Sequence, residues 1–290
     1  MNYGCNNLRR GIALFLKFLL AITLSALMFV PFLWMVCTAF KPSGEAESPT
    51  FYPKMPQPEN FLVILRMIPD QFSGKYLDLD LWVWIFNSIF VASWVTALQV
   101  TTSCLAAYAF SRIRWRGRNT IFLGYLATMM IPALVLTIPQ FQIMVSLNWV
   151  NSYKGLIIPS AFSAFGTFML RQFMLGIPMS YNEAAEIDGA GHFRIFSDII
   201  LPLMKPGIIT LTIFTFLGSY RNLMWPLIMV KSPHLYNVPI GLLSFQGQYG
   251  AQTELLMAST AVCIIPLIIM FIFMQKKLVR GVNLGGGVKE

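Results

Sequence analysis

Apolar residues run through this 290-residue chain in long stretches, and polar residues gather between them. A helix needs about 20 mainly apolar residues to cross the hydrocarbon core of a bilayer. The pattern predicts an all-α integral membrane protein with six transmembrane helices, in a single transmembrane domain over residues 1–290. The six expected spans are about 13–38, 82–109, 120–146, 155–175, 207–230 and 255–275.

Composition places the chain in the same class, because 56% of its residues are hydrophobic and only 11% are charged. Soluble proteins carry about 25% charged residues. The first apolar stretch follows Arg9 and Arg10, as in a signal peptide, but a cleaved signal peptide has an apolar core of only about 7–15 residues. We therefore expect an uncleaved signal anchor.

Basic residues mark the connections that we expect on the cytoplasmic side. They indicate that both termini are cytoplasmic, and that the net charge of +9 reflects topology and contact with anionic lipid rather than nucleic-acid binding. Arg112, Arg114, Arg116 and Arg118 are interpreted as a topology anchor, with a lipid or partner contact as the alternative. The other basic residues in these regions are Arg9, Arg10, Lys17, Arg171, Arg194, Lys205, Lys276, Lys277, Arg280 and Lys289.

Motifs for bound metals or nucleotides are missing from the sequence. The two histidines, His192 and His234, fall in connections on opposite sides of the predicted bundle, so they do not share a metal ion. The phosphate loop G-x-x-x-x-G-K-[ST] does not occur. The cysteines are scattered without a C-x-x-C pair, which favours packing roles for Cys5, Cys37, Cys104 and Cys263. We expect no catalytic residue, no metal site and no cofactor in this chain.

The apolar stretches also contain almost no ionisable residues. Ion-coupled carriers and pumps use buried carboxylates or histidines, so a secondary carrier or channel is a disfavoured alternative. A polytopic membrane enzyme is disfavoured because no His/Asp/Glu cluster occurs. Arg221 is the clearest charge inside a stretch, beside Tyr220, Asn222 and Trp225. It either contacts substrate or has a structural partner or a position near the outer surface.

The most polar segment between two spans is predicted to be a short helix followed by a turn. Ser180 and Glu183 have the spacing of a capping box, and Gly189 is placed to end the helix with a positive φ. A helical period puts Tyr181, Ala184, Ala185 and Asp188 on one face, opposite Asn182, Glu183 and Glu186. Asp188 opposes the helix dipole there, so we expect a basic or N–H partner for it.

A second short helix is expected after this turn, at His192, Phe193, Ile195 and Phe196. Its apolar side chains are unusual for a polar connection. Periodicity leaves two interpretations equally open. The helix either lies on its own bundle or fills the groove of a partner.

The run Glu183-Ala-Ala-Glu-Ile-Asp-Gly189, followed by Ile199-Ile-Leu-Pro202 and Lys205-Pro206, resembles the signature loop of permease subunits of binding-protein-dependent ABC importers. The resemblance covers about residues 12–290. Softer matches are similar to the carbohydrate branch, and within it to the smaller maltose permease. They are Phe40-Lys-Pro42, Asn87-Ser-Ile, Ala106-Ala-Tyr-Ala-Phe-Ser-Arg112, Phe168-Met-Leu-Arg-Gln-Phe173, Trp225-Pro-Leu and the tail from Gly281 to Lys289.

The resemblance implies a type I ABC importer permease fold in a bacterial-type cytoplasmic membrane. It implies a heterodimer with a second homologous permease, two ATPase subunits that bind ATP and Mg²⁺, and an extracytoplasmic solute-binding protein. The loop 177–205 is then the ATPase-docking loop, through Glu183, Ala184, Ala185, Asp188, Gly189, His192 and Phe193.

Two features of this chain bear on the solute. Arg221 stands in Ser219-Tyr-Arg-Asn222, where the carbohydrate branch usually carries a sequence like Ser-Trp-Asn-Asp, and this departure weakens a plain oligosaccharide assignment. The connection 231–254 is expected to form a mobile glycine-containing turn that reaches the binding protein through Gln246, Gln248 and Tyr249, or else is a simple connector.

Overall fold

A computed structural model describes residues 3–70, 73–250 and 252–285, with side chains over 12–70, 73–250 and 252–275. All regular secondary structure in these ranges is helical, which confirms the all-α class. The end of the tail, with Lys289, lies outside the described residues. So do the side chains of Cys5, Arg9, Arg10, Lys276, Lys277 and Arg280.

Long apolar helices alternate with short ones along the described chain. The α-helices in chain order are α1 (Tyr3–Ala39), α2 (Glu59–Ile64), α3 (Leu81–Ser111), α4 (Arg118–Ala127), α5 (Ala133–Ser146), α6 (Tyr153–Ile157), α7 (Ala164–Leu175), α8 (Ser180–Ile187), α9 (His192–Arg194), α10 (Leu201–Leu203), α11 (Lys205–Tyr220), α12 (Met224–Met229), α13 (Val238–Gln248) and α14 (Thr253–Gly285). Single 3₁₀ turns occupy Ser43–Glu45, Thr128–Met130, Ile158–Ser160 and Pro233–Leu235, and a π-helical turn occupies Ile195–Ile200.

Three helices of the described chain are long and apolar enough to cross a bilayer: Ile12–Ala39 in α1, α3, and Thr253–Gln275 in α14. Two bent pairs raise that number to five if each pair is one span. Arg118–Met130 and Ala133–Ser146 meet at 99°, and His192–Leu203 and Lys205–Tyr220 meet at 76°. The first bend has a clear cause, since proline disfavours helix in the residue before it and Ile131, before Pro132, is extended.

The stretches 155–175 and 207–230 are interrupted rather than continuous helices. The first contains part of α6, the turn Ile158–Ser160 and α7, and the second contains most of α11 followed by α12. Irregular backbone at membrane depth occurs where it is buried in protein or lines a wet cavity. The count of six spans therefore stays a prediction, and both breaks are candidate sites for function.

The described chain forms two compact units, of which the first combines residues from 1–79 and 244–263. It contains the half-buried aromatic pair Phe40 and Phe61, whose ring centroids are 5.0 Å apart. The buried Asn60 amide donates to the carbonyls of Ala39 and Lys41, at 2.9 Å each. These bonds tie α2 to the end of α1 and give the connection between the two helices, residues 40–58, a defined path.

The second unit, from residues 80–243 and 264–290, is built around α3. Glycines let neighbouring helices come close to it: a Cβ on Gly166 of α7 would lie 2.6 Å from the Ser103 hydroxyl. One apolar cluster joins α3, α7 and α11 to the segment 185–204, with Ala107, Tyr108, Leu170, Met174, Ile195 and Ile200 among its buried members. The polar segment after α7 is thus packed on a helical core.

The other end of α3 is held by polar side chains. The Asn87 amide group donates to the carbonyls of His234 and Tyr236, at 2.9 Å each, and its oxygen accepts from the Tyr153 hydroxyl at 2.6 Å. The Ser88 hydroxyl accepts from the backbone N–H of Val238 at 2.8 Å. Paired polar groups in this position fix the segment 234–238 against α3.

Candidate functional site

The turn after α8 has the geometry that the sequence predicts. Gly189 has φ +78°, which confirms the expected positive φ. Its N–H donates to the carbonyl of Glu186 at 3.0 Å, and the N–H of Ala190 donates to the carbonyl of Ala185 at 2.9 Å. This pair of bonds is the Schellman arrangement, which satisfies two carbonyls at the helix end. The direction of the chain after α8 therefore depends on a residue that tolerates positive φ.

The predicted capping box at Ser180 and Glu183 is wrong. Met179 is the N-cap residue, with helical φ and ψ, and no side chain caps the helix. The carbonyl of Met179 accepts from the N–H groups of Asn182 and Glu183, at 2.9 and 3.2 Å. The helix therefore begins one residue earlier than expected, and Ser180 lies inside its first turn.

The predicted division of α8 into two faces is also wrong. Asn182 and Ala185 are the buried residues, whereas Tyr181, Ala184 and Asp188 are exposed. The reason is tertiary, because Ala185 packs into the apolar cluster on α3 and Asn182 lies one turn before it. Asp188 has neither the basic nor the N–H partner that we expected, within the described residues.

The second short helix packs on its own bundle through some of its residues, and the partner interpretation stays a prediction for the others. Ile195 and Phe196 are buried in the chain's own core. Ile187 and Phe193, by contrast, are exposed over 86% and 81% of their surface. Glu183, Glu186 and His192, in the same segment of the sequence, have polar side chains and are also exposed. The segment therefore exposes apolar and polar side chains while its other apolar residues hold it to the core.

Arg112 anchors the residues that precede α8, a role that the sequence did not predict. Its buried guanidinium donates to the carbonyl of Met174, to the carbonyl of Ile177 at 2.7 Å and to the sulfur of Met179 at 3.2 Å. Burial lowers the pKa of this guanidinium. Arg112 thus joins the end of α3 to the residues that lead into α8, rather than acting only as a topology anchor.

Tyr108 holds the other side of the segment. Its hydroxyl donates to the carbonyl of His192 at 3.1 Å, and its ring lies 5.1 Å from the ring of Phe196. Tyr108 and Arg112 are four residues apart and share one face of α3. Residues at the end of α3 therefore bind the chain both before and after α8, so α8 is fixed to α3 at two points.

The residues 220–225 divide into two groups. Asn222 and Trp225 line cavities beside the break between α11 and α12. Tyr220 is buried, and Arg221 is exposed with its Nε donating to the carbonyl of Leu217 at 3.3 Å. Neither of these two lines the cavities. Arg221 therefore has a structural partner, which is the carbonyl of Leu217 in its own helix. Its charge lies outside the cavity walls.

The expected mobile turn at 244–250 is largely helical instead, because α13 extends to Gln248. Gln246 and Gln248 are exposed, whereas Phe245 is fully buried within its unit. The Tyr249 hydroxyl accepts from the N–H of Asp78 at 3.3 Å. The two anchors, Phe245 and Tyr249, explain why the glycines do not loosen this segment.

The described residues hold no group of three or more His, Cys, Asp or Glu placed to bind a metal ion.

The sequence profile of the family described as "binding-protein-dependent transport system inner membrane component" matches residues 99–284. The chain belongs to this family. The match covers the helices that pack on α3 and all of the segment around α8. The chain is thus a membrane-embedded, multi-pass permease subunit of an ABC importer.

Curated relatives extend the match over nearly the whole permease. It is 32% identical to the arabinooligosaccharides transport system permease protein of Halalkalibacterium halodurans, over 96% of this chain and 99% of the relative. It is 32% identical to the trehalose/maltose transport system permease protein of Thermococcus litoralis, over 91% and 93%. It is 36% identical to the sn-glycerol-3-phosphate transport system permease protein of Yersinia enterocolitica, over 68% and 71%.

A solved structure shares the fold of the permease. This is a bacterial ABC transporter involved in import of the acidic polysaccharide alginate, with a TM-score of 0.76 at 22% identity. The match covers 92% of this chain and 96% of that chain. At this identity the likeness shows the fold alone, and it confirms the ABC importer permease architecture.

Proposed function

We propose that the permease forms half of a translocation pathway for a sugar or sugar-like solute, which an extracytoplasmic binding protein delivers. Two relatives are named for arabinooligosaccharides and for trehalose or maltose, and their names support this class of solute. The chain itself is non-catalytic and holds no cofactor. ATP and Mg²⁺ are bound by separate ATPase subunits, and closure of the ATPase drives alternating access.

In this proposal the complex is a heterodimer of two homologous permeases with two ATPase subunits. Both termini and the loop 177–205 face the cytoplasm, in agreement with the positive-inside rule. Glu183, Ala184, Asp188, His192 and Phe193 contact the ATPase. Ala185 and Gly189 act differently, since the first packs α8 on its core and the second sets the turn. Gln246, Gln248 and Tyr249 remain the candidate contacts for the binding protein.

The single observation that carries the docking proposal is the exposure of two large apolar side chains on a doubly anchored segment. Ile187 and Phe193 are almost fully exposed, on a segment whose buried apolar residues already pack in the permease's own core. Apolar side chains surrounded by polar ones mark interaction surfaces. Because Arg112 and Tyr108 hold this surface to α3, a push on it moves α3 with it.

Purification of the tagged permease from its native membrane tests the proposal. We expect ATPase subunits to co-purify in about a one-to-one ratio with permease subunits. Their ATP hydrolysis is expected to rise when the cognate binding protein and its solute are added. A permease that carries no ATPase and moves solute on a proton or sodium gradient would instead be a secondary carrier.

A further inference from the structure

The structure contains a cavity of about 310 Å³ in the second unit, beside α3 and α11. Small-molecule sites occupy about 300–1,000 Å³, so the cavity is large enough for a small solute or one unit of a longer one. Its wall combines polar side chains with two aromatic rings. The lining includes Gln99, Ser160, Phe165, Phe214, Ser219 and Asn222.

The cavity lies at the middle of a span. Gln99 is 12 residues from the end of α3 at Ser111, which is about 18 Å along a helix with a rise of 1.5 Å per residue. The hydrocarbon core of a bilayer is about 30 Å thick. A polar wall at this depth is unfavourable against lipid, so it indicates a water-filled path.

Two helix breaks border the same cavity. Ser160 ends the 3₁₀ turn before α7, and Ser219 and Asn222 flank the point where α11 ends and α12 has not begun. Non-helical backbone at membrane depth is stable where it lines an aqueous cavity. Two independent breaks at one cavity therefore point to a place where the permease meets a polar solute.

The polar groups of the wall are held in position, and they suit hydroxyl groups. The Gln99 amide nitrogen donates to the Thr215 hydroxyl at 3.3 Å, which leaves its oxygen as an acceptor for a solute. The Asn222 oxygen accepts from the N–H of Trp225 at 3.4 Å, which leaves its amide nitrogen as a donor. The hydroxyls of Ser160 and Ser219 both donate and accept.

The wall carries aromatic faces but no charge. Phe165 and Phe214 are exposed in this chain and can cover the apolar face of a sugar ring. Within the described residues no charged side chain lines the cavity, and Arg221 lies outside the wall although it is next to Asn222 in sequence. A solute with a carboxylate or phosphate would lose its hydration here without gaining a cation.

We propose that this cavity is a subsite of the translocation pathway for an uncharged, hydroxyl-rich solute unit. The proposal rests on the transport function proposed above and narrows it. Neutral sugars fit the wall, and phosphorylated or acidic solutes do not. The permease thereby contacts the solute itself, through Gln99, Ser160, Ser219 and Asn222.

Gly218 offers a direct test because it lines the cavity and a Cβ there meets no atom within 4 Å. Gly218→Leu fills the cavity without a backbone clash, and we expect it to lower solute uptake by at least about tenfold by removing a preformed site. Gly124→Leu is the matched control, since Gly124 is also helical with open space, but lies in α4 away from the cavity. Uptake by this control is expected to stay at the native rate. Ser219→Ala removes one hydrogen bond and should raise the KM for uptake about two- to tenfold.

The assay uses the complete importer in proteoliposomes with arabinotriose and maltose as neutral probes, and sn-glycerol 3-phosphate and an alginate trisaccharide as anionic probes. Uptake of a neutral probe that falls in Gly218→Leu but not in Gly124→Leu supports the subsite, provided that the ATPase still co-purifies with both variants. Equal uptake by the two variants, or a native complex that moves no neutral probe, overturns it. Loss of the ATPase from the native complex would instead contradict the importer function, and so is distinguishable.

Discussion

Replacing Arg112 with glutamine is expected to lower ATP-driven solute transport at least about tenfold. Glutamine cannot reach the carbonyls of Met174 and Ile177 that the guanidinium now binds together. A hydrogen bond from a charged group contributes about 1.5–3 kcal/mol, and about 1.4 kcal/mol corresponds to a factor of ten. Loss of these bonds frees the segment before α8 from α3, so that movement of the ATPase no longer reaches the spans. Uptake of solute into proteoliposomes, at equal amounts of assembled complex, measures the effect.

Arg118→Gln is the matched control for this prediction. Arg118 lies in the same connection and donates to the carbonyls of Ser111 and Ile113, at 3.3 and 3.2 Å, but it makes no bond to residues 174–179. We expect its transport to remain within about twofold of the native rate, because its bonds stay within its own connection and the adjoining end of α3. If Arg112→Gln and Arg118→Gln lose transport equally, Arg112 has no special part in coupling.

Gly189→Val is expected to detach the ATPase or to uncouple it from transport. A β-branched residue at φ +78° carries strain of about 1–3 kcal/mol, and no nearby atom would contribute to it, because a Cβ there meets nothing within 4 Å. Relief of the strain requires the turn after α8 to change direction, which moves Phe193 relative to Ile187. Co-purification of the ATPase and stimulated ATP hydrolysis are the measurements, with membrane insertion expected to be normal.

Two other variants separate backbone conformation from bulk. Gly191 lies two residues further along with φ −74° and ψ 162°, a conformation that valine favours, and a Cβ there also meets open space. Gly191→Val should therefore retain the ATPase. Gly189→Asn should keep most of the function, since asparagine tolerates positive φ. Full retention of ATPase and transport by Gly189→Val would show that the turn is not needed for docking.

The sequence predicted well where the cause of structure is local. The positive φ at Gly189 follows from the chemistry of a single residue, and the apolar stretches follow from composition. The family could be recognised from the run that begins at Glu183, because several residues of one short segment match together. Neither conclusion required knowledge of which distant residues meet.

Predictions failed where tertiary contacts decide. The buried face of α8 is set by the cluster on α3, which a helical period cannot reveal, so Asn182 was placed on the wrong side. Glycines at 247 and 250 indicated a mobile turn, but burial of Phe245 keeps α13 helical to Gln248. The sequence presents Arg112 as one member of a group of four arginines. Only its bonds to the carbonyls of Met174 and Ile177 distinguish it from the other three.

The cavity could not be found from the sequence because its polar residues come from three separated segments. Gln99, Ser160 and Ser219 meet only when α3, the turn Ile158–Ser160 and α11 pack together. Asn222 was a candidate beforehand, on account of its neighbour Arg221. In the structure Asn222 lines the cavity and Arg221 does not, so Asn222 is the stronger candidate for contact with solute.

The central element of the proposed function is that the surface around α8 binds an ATPase. Photo-crosslinking from this surface tests the claim directly, with a benzophenone amino acid placed at Ile187 or Phe193 in the native complex. Ile138 in α5 provides the control, because it is apolar and 70% exposed but lies outside the segment. We expect an adduct with the ATPase from Ile187 and Phe193 and none from Ile138. An ATPase that crosslinks to Ile138 but to neither of the other two positions, or to none of the three, would contradict it.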